Sequence, residues 1–101
     1  MSEFTLKTDI AIAQKLMVKD FEINDPGLVF SKMELLQEWL AGEIGVLLDK
    51  DIERLLNVLY RIDVSEAKIK IAFSGDNPTW EIAGLIIERE LEKVETRKKY
   101  R

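Results

Sequence analysis

Residues 77–87 constrain the fold of this 101-residue chain most strongly. Asn77 is a favoured residue just before a helix, and Pro78 suits the first helical position, where the N–H that proline lacks has no partner anyway. The residues that follow are apolar on almost every side of a helix: Ile82, Ala83, Leu85, Ile86 and Ile87. A helix that is apolar all round is normally buried. We therefore expect the rest of the chain to surround this segment.

Apolar residues recur at helical spacing along most of the remaining chain. They predict helices at Thr8–Asp20, Ser31–Leu48, Lys50–Ile62 and in a short segment ending at Phe73. The turn signal Asp25-Pro26-Gly27 separates the first two helices. The sequence therefore predicts an all-α fold, a compact bundle of four to five helices around a single core. We expect one domain over residues 1–101, with residues 95–101 as a polar basic tail.

The helix starts carry specific capping signals. The predicted N-caps are Thr8, Ser31, Asp49 and Asp63. Ser31 with Glu34, and Asp63 with Glu66, have the spacing of a capping box, in which each side chain satisfies a backbone N–H. The third helix is predicted to bury one apolar face, formed by Ile52, Leu55, Leu56, Leu59 and Tyr60. We place Leu56 and Ile86 in the core.

The chain contains neither cysteine nor histidine. Disulfides, thiolate zinc sites and cysteine nucleophiles are therefore excluded. The commonest general base and metal ligand in proteins is also missing. We expect no enzymatic activity, no metal and no cofactor.

The sequence predicts a cytoplasmic protein with no membrane association. No apolar run approaches the 18 or so residues of a membrane span. The start, MSEFTLKTD, lacks the basic and apolar regions of a secretion signal, and lipidation motifs are missing.

Two short motifs are better explained by helix starts than by chemistry. Asp49, Asp51 and Glu53 resemble the opening of a calcium loop. Arg54 and Tyr60 occupy the places where such a loop needs glycine and glutamate. Acidic residues in a first helical turn are also favoured by the helix dipole. The S-x-x-K spacing at residues 65–68 lacks the other motifs of penicillin-recognising enzymes.

The segment Leu59–Ile69 resembles the turn of a helix-turn-helix. Asp63 stands where such turns usually have glycine, and the following helix offers only Lys68 and Lys70 as basic residues. The net charge of the chain is −4, whereas DNA-binding surfaces are positive. The composition argues against nucleic-acid binding, which we keep as the alternative function.

The last predicted helix carries two candidate interaction features. Trp80, Ile87 and Val94 are spaced by seven, with Leu91 between them, as in a short coiled-coil seam. The basic cluster that follows consists of Arg97, Lys98, Lys99, Tyr100 and Arg101. This cluster could contact RNA or an acidic protein. It also has the simpler explanation of cations that interact favourably with a helix C-terminus.

Two stretches, LLNVLYRIDVSEAKIKIAF at 55–73 and LIIERELEKVETRKKYR at 85–101, resemble a group of short, uncharacterised bacterial all-helical proteins. The shared features are an LYRID helix end and an I-I-E-R helix that runs into a basic terminus. The resemblance covers about the second half of the chain. It implies a small cytoplasmic bacterial protein and assigns no catalytic residue.

The sequence predicts a non-enzymatic protein-interaction domain, with self-association through the last helix as one form of that function. The expected partner is another protein or a second copy of the chain. The alternative is a weak nucleic-acid binder that uses the basic tail or the Leu59–Ile69 segment.

Overall fold

A computed structural model describes the backbone of residues 7–23, 25–27 and 29–99, and the side chains of this part of the chain except those of residues 7, 8 and 97–99. The described residues contain five α-helices and no strand. The helices are α1 (Lys7–Phe21), α2 (Met33–Lys50), α3 (Ile52–Ile62), α4 (Glu66–Phe73) and α5 (Pro78–Lys99). The all-α prediction is confirmed.

Helix α5 is the central element of the bundle. It packs against each of α1, α2, α3 and α4, and α2 is its main neighbour. Ile82, Ala83 and Ile86 are fully buried, and Ile87 is nearly so. The Nε2 of Gln37 donates a hydrogen bond of 2.8 Å to the carbonyl oxygen of Trp80, which joins α2 to the first turn of α5. The predicted burial of this segment is confirmed.

Each of the other helices contributes apolar side chains to one continuous core. The largest fully buried apolar side chains are Ile10, Met17, Phe21, Leu36, Leu40, Ile44, Leu55, Leu59, Ile62, Ile82 and Ile86. The Cα radius of gyration is 13.1 Å, as expected for a compact chain of this length.

All four predicted N-caps are wrong. Helix α1 already includes Lys7, so Thr8 lies inside it rather than capping it. Helix α2 begins at Met33, and Lys32 is its N-cap without a side-chain capping bond. The capping box predicted at Ser31 does not form, because the N-cap position lies one residue later, at Lys32.

The caps of α3 and α4 also lie two residues beyond their predicted positions. Helix α2 continues to Lys50, so Asp51 caps α3 and accepts the Arg54 N–H at 3.2 Å. Ser65 caps α4 and accepts the Lys68 N–H at 3.4 Å. Asp63 instead ends α3 in the left-handed conformation, with φ of 69°. That conformation explains why glycine is usual at this place in a helix-turn-helix.

The buried face of α3 is rotated from the predicted one. The buried side chains are Leu55, Val58, Leu59 and Ile62. Ile52, Leu56 and Tyr60 are 48%, 37% and 69% exposed. The placement of Leu56 in the core is therefore wrong, because α3 packs onto the bundle through the neighbouring side of the helix.

Candidate protein-interaction surface

The exposed apolar side of α3 forms a continuous row, which we call the α3 ridge: Ile52, Leu56 and Tyr60. Residues four apart lie one above another on a helix. The apolar side chains of α3, from Val58 round to Tyr60, span an arc of about 200° at 3.6 residues per turn. The bundle buries about half of this arc. The other half, the α3 ridge, faces solvent.

Beside the α3 ridge lies a groove of about 300 Å³ between α3 and α4. It is lined by Leu56, Leu59, Tyr60, Val64, Glu66, Ile69 and Lys70. Leu59 and Val64 are buried and form its floor. The groove is thus apolar inside, with one acidic and one basic side chain along its α4 edge.

The hydroxyl of Tyr60 ties the α3 ridge to α4. It donates a hydrogen bond of 3.1 Å to Oε1 of Glu66. This bond, together with the negative charge of Glu66, raises the pKa of Tyr60 above its ordinary value of 10.0. The phenol therefore stays protonated at neutral pH, and its ring bridges the two helices that form the groove.

Ionic contacts with α5 hold the turn between α3 and α4. The guanidinium of Arg89 donates to the Ile62 carbonyl at 3.3 Å and lies 3.4 Å from the Asp63 carboxylate. The Lys68 ammonium lies 3.7 Å from Glu88. Exposed ion pairs contribute at most about 1 kcal/mol each. These contacts connect both groove-forming helices to the central helix.

The predicted seam on α5 is not an exposed surface. Ile87, Leu91 and Val94 are only 4%, 3% and 6% exposed, because they pack within the chain. Trp80 is partly buried at the start of α5. These three seam positions are therefore buried within the single chain, and a role of the seam in self-association stays a prediction.

The basic cluster lies outside the described side chains. Residues 97–99 continue α5, but their side chains are not described, and neither are Tyr100 and Arg101. A role for Arg97, Lys98, Lys99, Tyr100 and Arg101 in binding stays a prediction.

The helix-turn-helix-like segment does consist of two helices joined by a turn, α3 and α4. Helix α4 has eight residues, and its Ile71 is 71% exposed. Of its two lysines, Lys68 is paired with Glu88 and Lys70 lies at the edge of the groove. The Ser65 hydroxyl of the S-x-x-K motif caps the same helix.

The bundle also buries polar groups on α1 and α5. Asp9 and Glu90 are each 1% exposed, and the Gln14 side chain accepts the Phe30 N–H at 3.3 Å. Burial raises the pKa of Glu90 from 4.5 to about 7, and the neighbouring Asp20 adds to this rise, although the Lys93 ammonium at 3.7 Å favours the ionised form. Glu90 lies inside the bundle, away from the residues that line the groove.

The sequence did contain a signal for the α3 ridge that the prediction did not use. A helix packed on one side of a bundle needs an apolar stripe little wider than about 100°. The apolar arc of α3 is about twice that width. The excess predicts that part of the apolar face of α3 stays exposed on the surface of the bundle.

Among the described residues, no group of three or more acidic side chains is placed to hold a metal ion. No helix in that part of the chain is long and apolar enough to cross a membrane. Comparison of the chain with protein-family models, with curated proteins and with solved structures gave no match.

Proposed function

We propose that this chain is a non-enzymatic protein-interaction domain that binds an apolar helical segment through the α3 ridge and the groove beside it. The observation that supports the proposal is the half of the apolar arc of α3 that the bundle leaves in contact with solvent. Apolar side chains clustered next to a groove are typical of interaction sites, whereas single exposed ones are ordinary.

The chemistry of the surface indicates what it can bind. Leu56 and the groove floor offer apolar contact, and Tyr60 adds a rigid aromatic ring of the kind enriched at binding hot spots. Glu66 and Lys70 provide a polar edge with both signs of charge. An amphipathic helix with apolar anchors three or four residues apart suits such a surface.

A matched pair of variants distinguishes binding through the α3 ridge from binding to other exposed apolar residues. Leu56 and Leu35 are both helical leucines, 37% and 41% exposed, and Leu35 does not line the groove. Leu56→Lys places a charge on the ridge, while Leu35→Lys makes the same change on α2. Both substitutions are at exposed positions, so both proteins should remain folded.

A selection of displayed helical peptides against the purified protein tests the proposal. We expect enrichment of peptides with apolar residues at i and i+3 or i+4. Binding of these peptides should fall about tenfold or more in Leu56→Lys and stay unchanged in Leu35→Lys. Failure to enrich any such peptide, or equal binding to both variants, would contradict the proposal.

A further inference from the structure

We infer that a proton shared between the carboxyl groups of Asp20 and Glu90 holds the end of α1 on α5, and that α1 opens from the bundle more readily once this proton is lost. The contact is thus a pH-sensitive device built into the fold. The inference goes beyond the proposed function and does not depend on the α3 ridge. It is carried by the burial of Glu90 and by the groups that face it.

The carboxyl group of Glu90 needs a hydrogen-bond donor inside the bundle. Its side chain is 1% exposed, and Oε2 is buried without a hydrogen-bond partner among the described residues. An ionised carboxylate can only accept hydrogen bonds, whereas a protonated one can also donate. A proton on the carboxyl group itself therefore resolves the position of this buried oxygen.

Asp20, on α1, is the group that can share this proton. Burial raises the pKa of Glu90 from 4.5 to about 7, and the charge and hydrogen bond of the Asp20 carboxyl group add to the rise. Two ionised carboxylates in one site repel each other, while a single proton between them forms a strong, charge-assisted hydrogen bond. On α5 itself, the Lys93 ammonium lies 3.7 Å from Oε1 of Glu90 and favours the ionised form.

The other contact at the end of α1 does not respond to pH. Asp20 and Lys93 are the charged groups that act on Glu90, and the described residues of α2, α3 and α4 contribute none. Helix α3 holds α1 through Arg54, whose guanidinium donates to the carbonyl oxygens of Phe21 and Glu22. Arginine stays protonated in proteins, so this contact is constant. The pH-sensitive part of the α1 contact is therefore the acid pair.

Helix α1 is placed to open without the rest of the bundle. It is the first helix and packs mainly against α5, while α2, α3 and α4 have their own contacts with α5. Opening moves both carboxyl groups into water, where each ionises without repulsion from the other. It also exposes Met17 and Phe21, which are fully buried in the closed form.

The pH range of the effect follows from the two states of Glu90. The closed form holds the proton up to about pH 7, and the open form releases it above 4.5. The opening equilibrium therefore rises by up to about tenfold per pH unit between these values, and it is constant above them.

Amide hydrogen exchange measured by NMR from about pH 5 to 8, corrected for the intrinsic pH dependence of exchange, tests the inference. In the wild-type protein, we expect the protection of the amides in residues 15–21 to fall about tenfold or more between pH 5 and 7. Glu90→Gln should abolish this fall, and Asp20→Asn should reduce it. Glu81→Gln and Glu22→Gln, which change exposed acids on α5 and at the end of α1, should behave as wild type.

The urea dependence of exchange distinguishes an opening of α1 from unfolding of the whole chain, because it increases with the surface exposed. Amides around Leu40 and Ile44 in the core of α2 should show the full dependence, and those of residues 15–21 a much smaller one. Equal urea dependence in both regions would overturn the local opening. Protection of α1 that does not change with pH, or that changes equally in Asp20→Asn and wild type, would overturn the shared proton.

Discussion

Helices α5 and α3 are both rich in apolar residues, yet the bundle treats them differently. In α5, the apolar side chains of Ile82, Ala83 and Ile86 are fully buried, because other helices pack around it. In α3, Leu55 is fully buried, while the adjacent Leu56 is 37% exposed. The comparison shows that an apolar pattern identifies the sides of a helix that other helices can cover. The packing of the whole chain decides which of these sides become buried.

This difference has an energetic meaning. Burial of a leucine side chain contributes about 1.5 to 3 kcal/mol to folding. The α3 ridge gains only part of that contribution within the single chain. It would gain the remainder if a partner covered it, and this gain is the energetic basis of the proposed interaction surface.

The largest effects should come from the buried sides of the two helices. Ile86→Ala and Leu55→Ala each remove a side chain that is 0% exposed, so each should lower the free energy of unfolding by about 2 to 5 kcal/mol. Urea denaturation monitored by circular dichroism measures the loss. A decrease below about 0.5 kcal/mol at either position would mean that this helix is not packed as described.

The second prediction concerns Glu90, the carboxylate that α5 carries into the bundle. Its folded pKa of about 7 lies above its ordinary value of 4.5, so the folded state holds the proton more tightly than the unfolded state. The stabilising contribution of the protonated form is complete below pH 4.5 and is lost as the pH rises to about 7. Glu90→Gln mimics the protonated form and should therefore be more stable than wild type at pH 8, by about 3 kcal/mol.

Urea denaturation of both proteins between pH 4.5 and pH 8 measures this contribution. Glu81→Gln, an exposed position on the same helix, serves as the control and should follow the wild-type curve. If the free energies of unfolding of Glu90→Gln and wild type changed in parallel with pH, Glu90 would not be protonated preferentially in the folded state.

The third prediction compares two serines at helix starts. Ser65 caps α4 through a hydrogen bond to the Lys68 N–H, so Ser65→Ala should cost about 1 kcal/mol. Ser31 forms no capping bond at α2, so Ser31→Ala should change stability by less than about 0.5 kcal/mol. Chemical denaturation of the two variants decides which serine is a cap. A larger loss of stability in Ser31→Ala than in Ser65→Ala would show that Ser31 does cap α2.

The sequence was sufficient to predict the elements that depend on local pattern. Helical periodicity predicted all five helices, and the Asn77-Pro78 signal placed the start of α5 correctly. The apolar run from Ile82 to Ile87 identified the central helix, because a helical segment without a polar face removes its side chains from water only inside the bundle.

Features that depend on competition between neighbouring elements were not predictable in this way. Asp49 and Asp51 are both good caps, and only the length of α2 decides between them. The exposed half of the α3 arc likewise depends on where α1, α2 and α5 lie. Periodicity shows that Leu55 and Leu56 are both apolar, but it does not show on which side of α3 the other helices pack.

The central claim is that the α3 ridge is not needed for folding, and the free energy of unfolding of Leu56→Lys at micromolar concentration tests it most directly. The account predicts a loss of at most about 1 kcal/mol, because Leu56 already contacts solvent and the lysine stem keeps part of its apolar contacts. Leu55→Lys, the same change at the adjacent buried position, should by contrast prevent folding or destabilise it severely. A loss of more than about 2 kcal/mol in Leu56→Lys would show that the chain's own core uses Leu56, and would contradict the account.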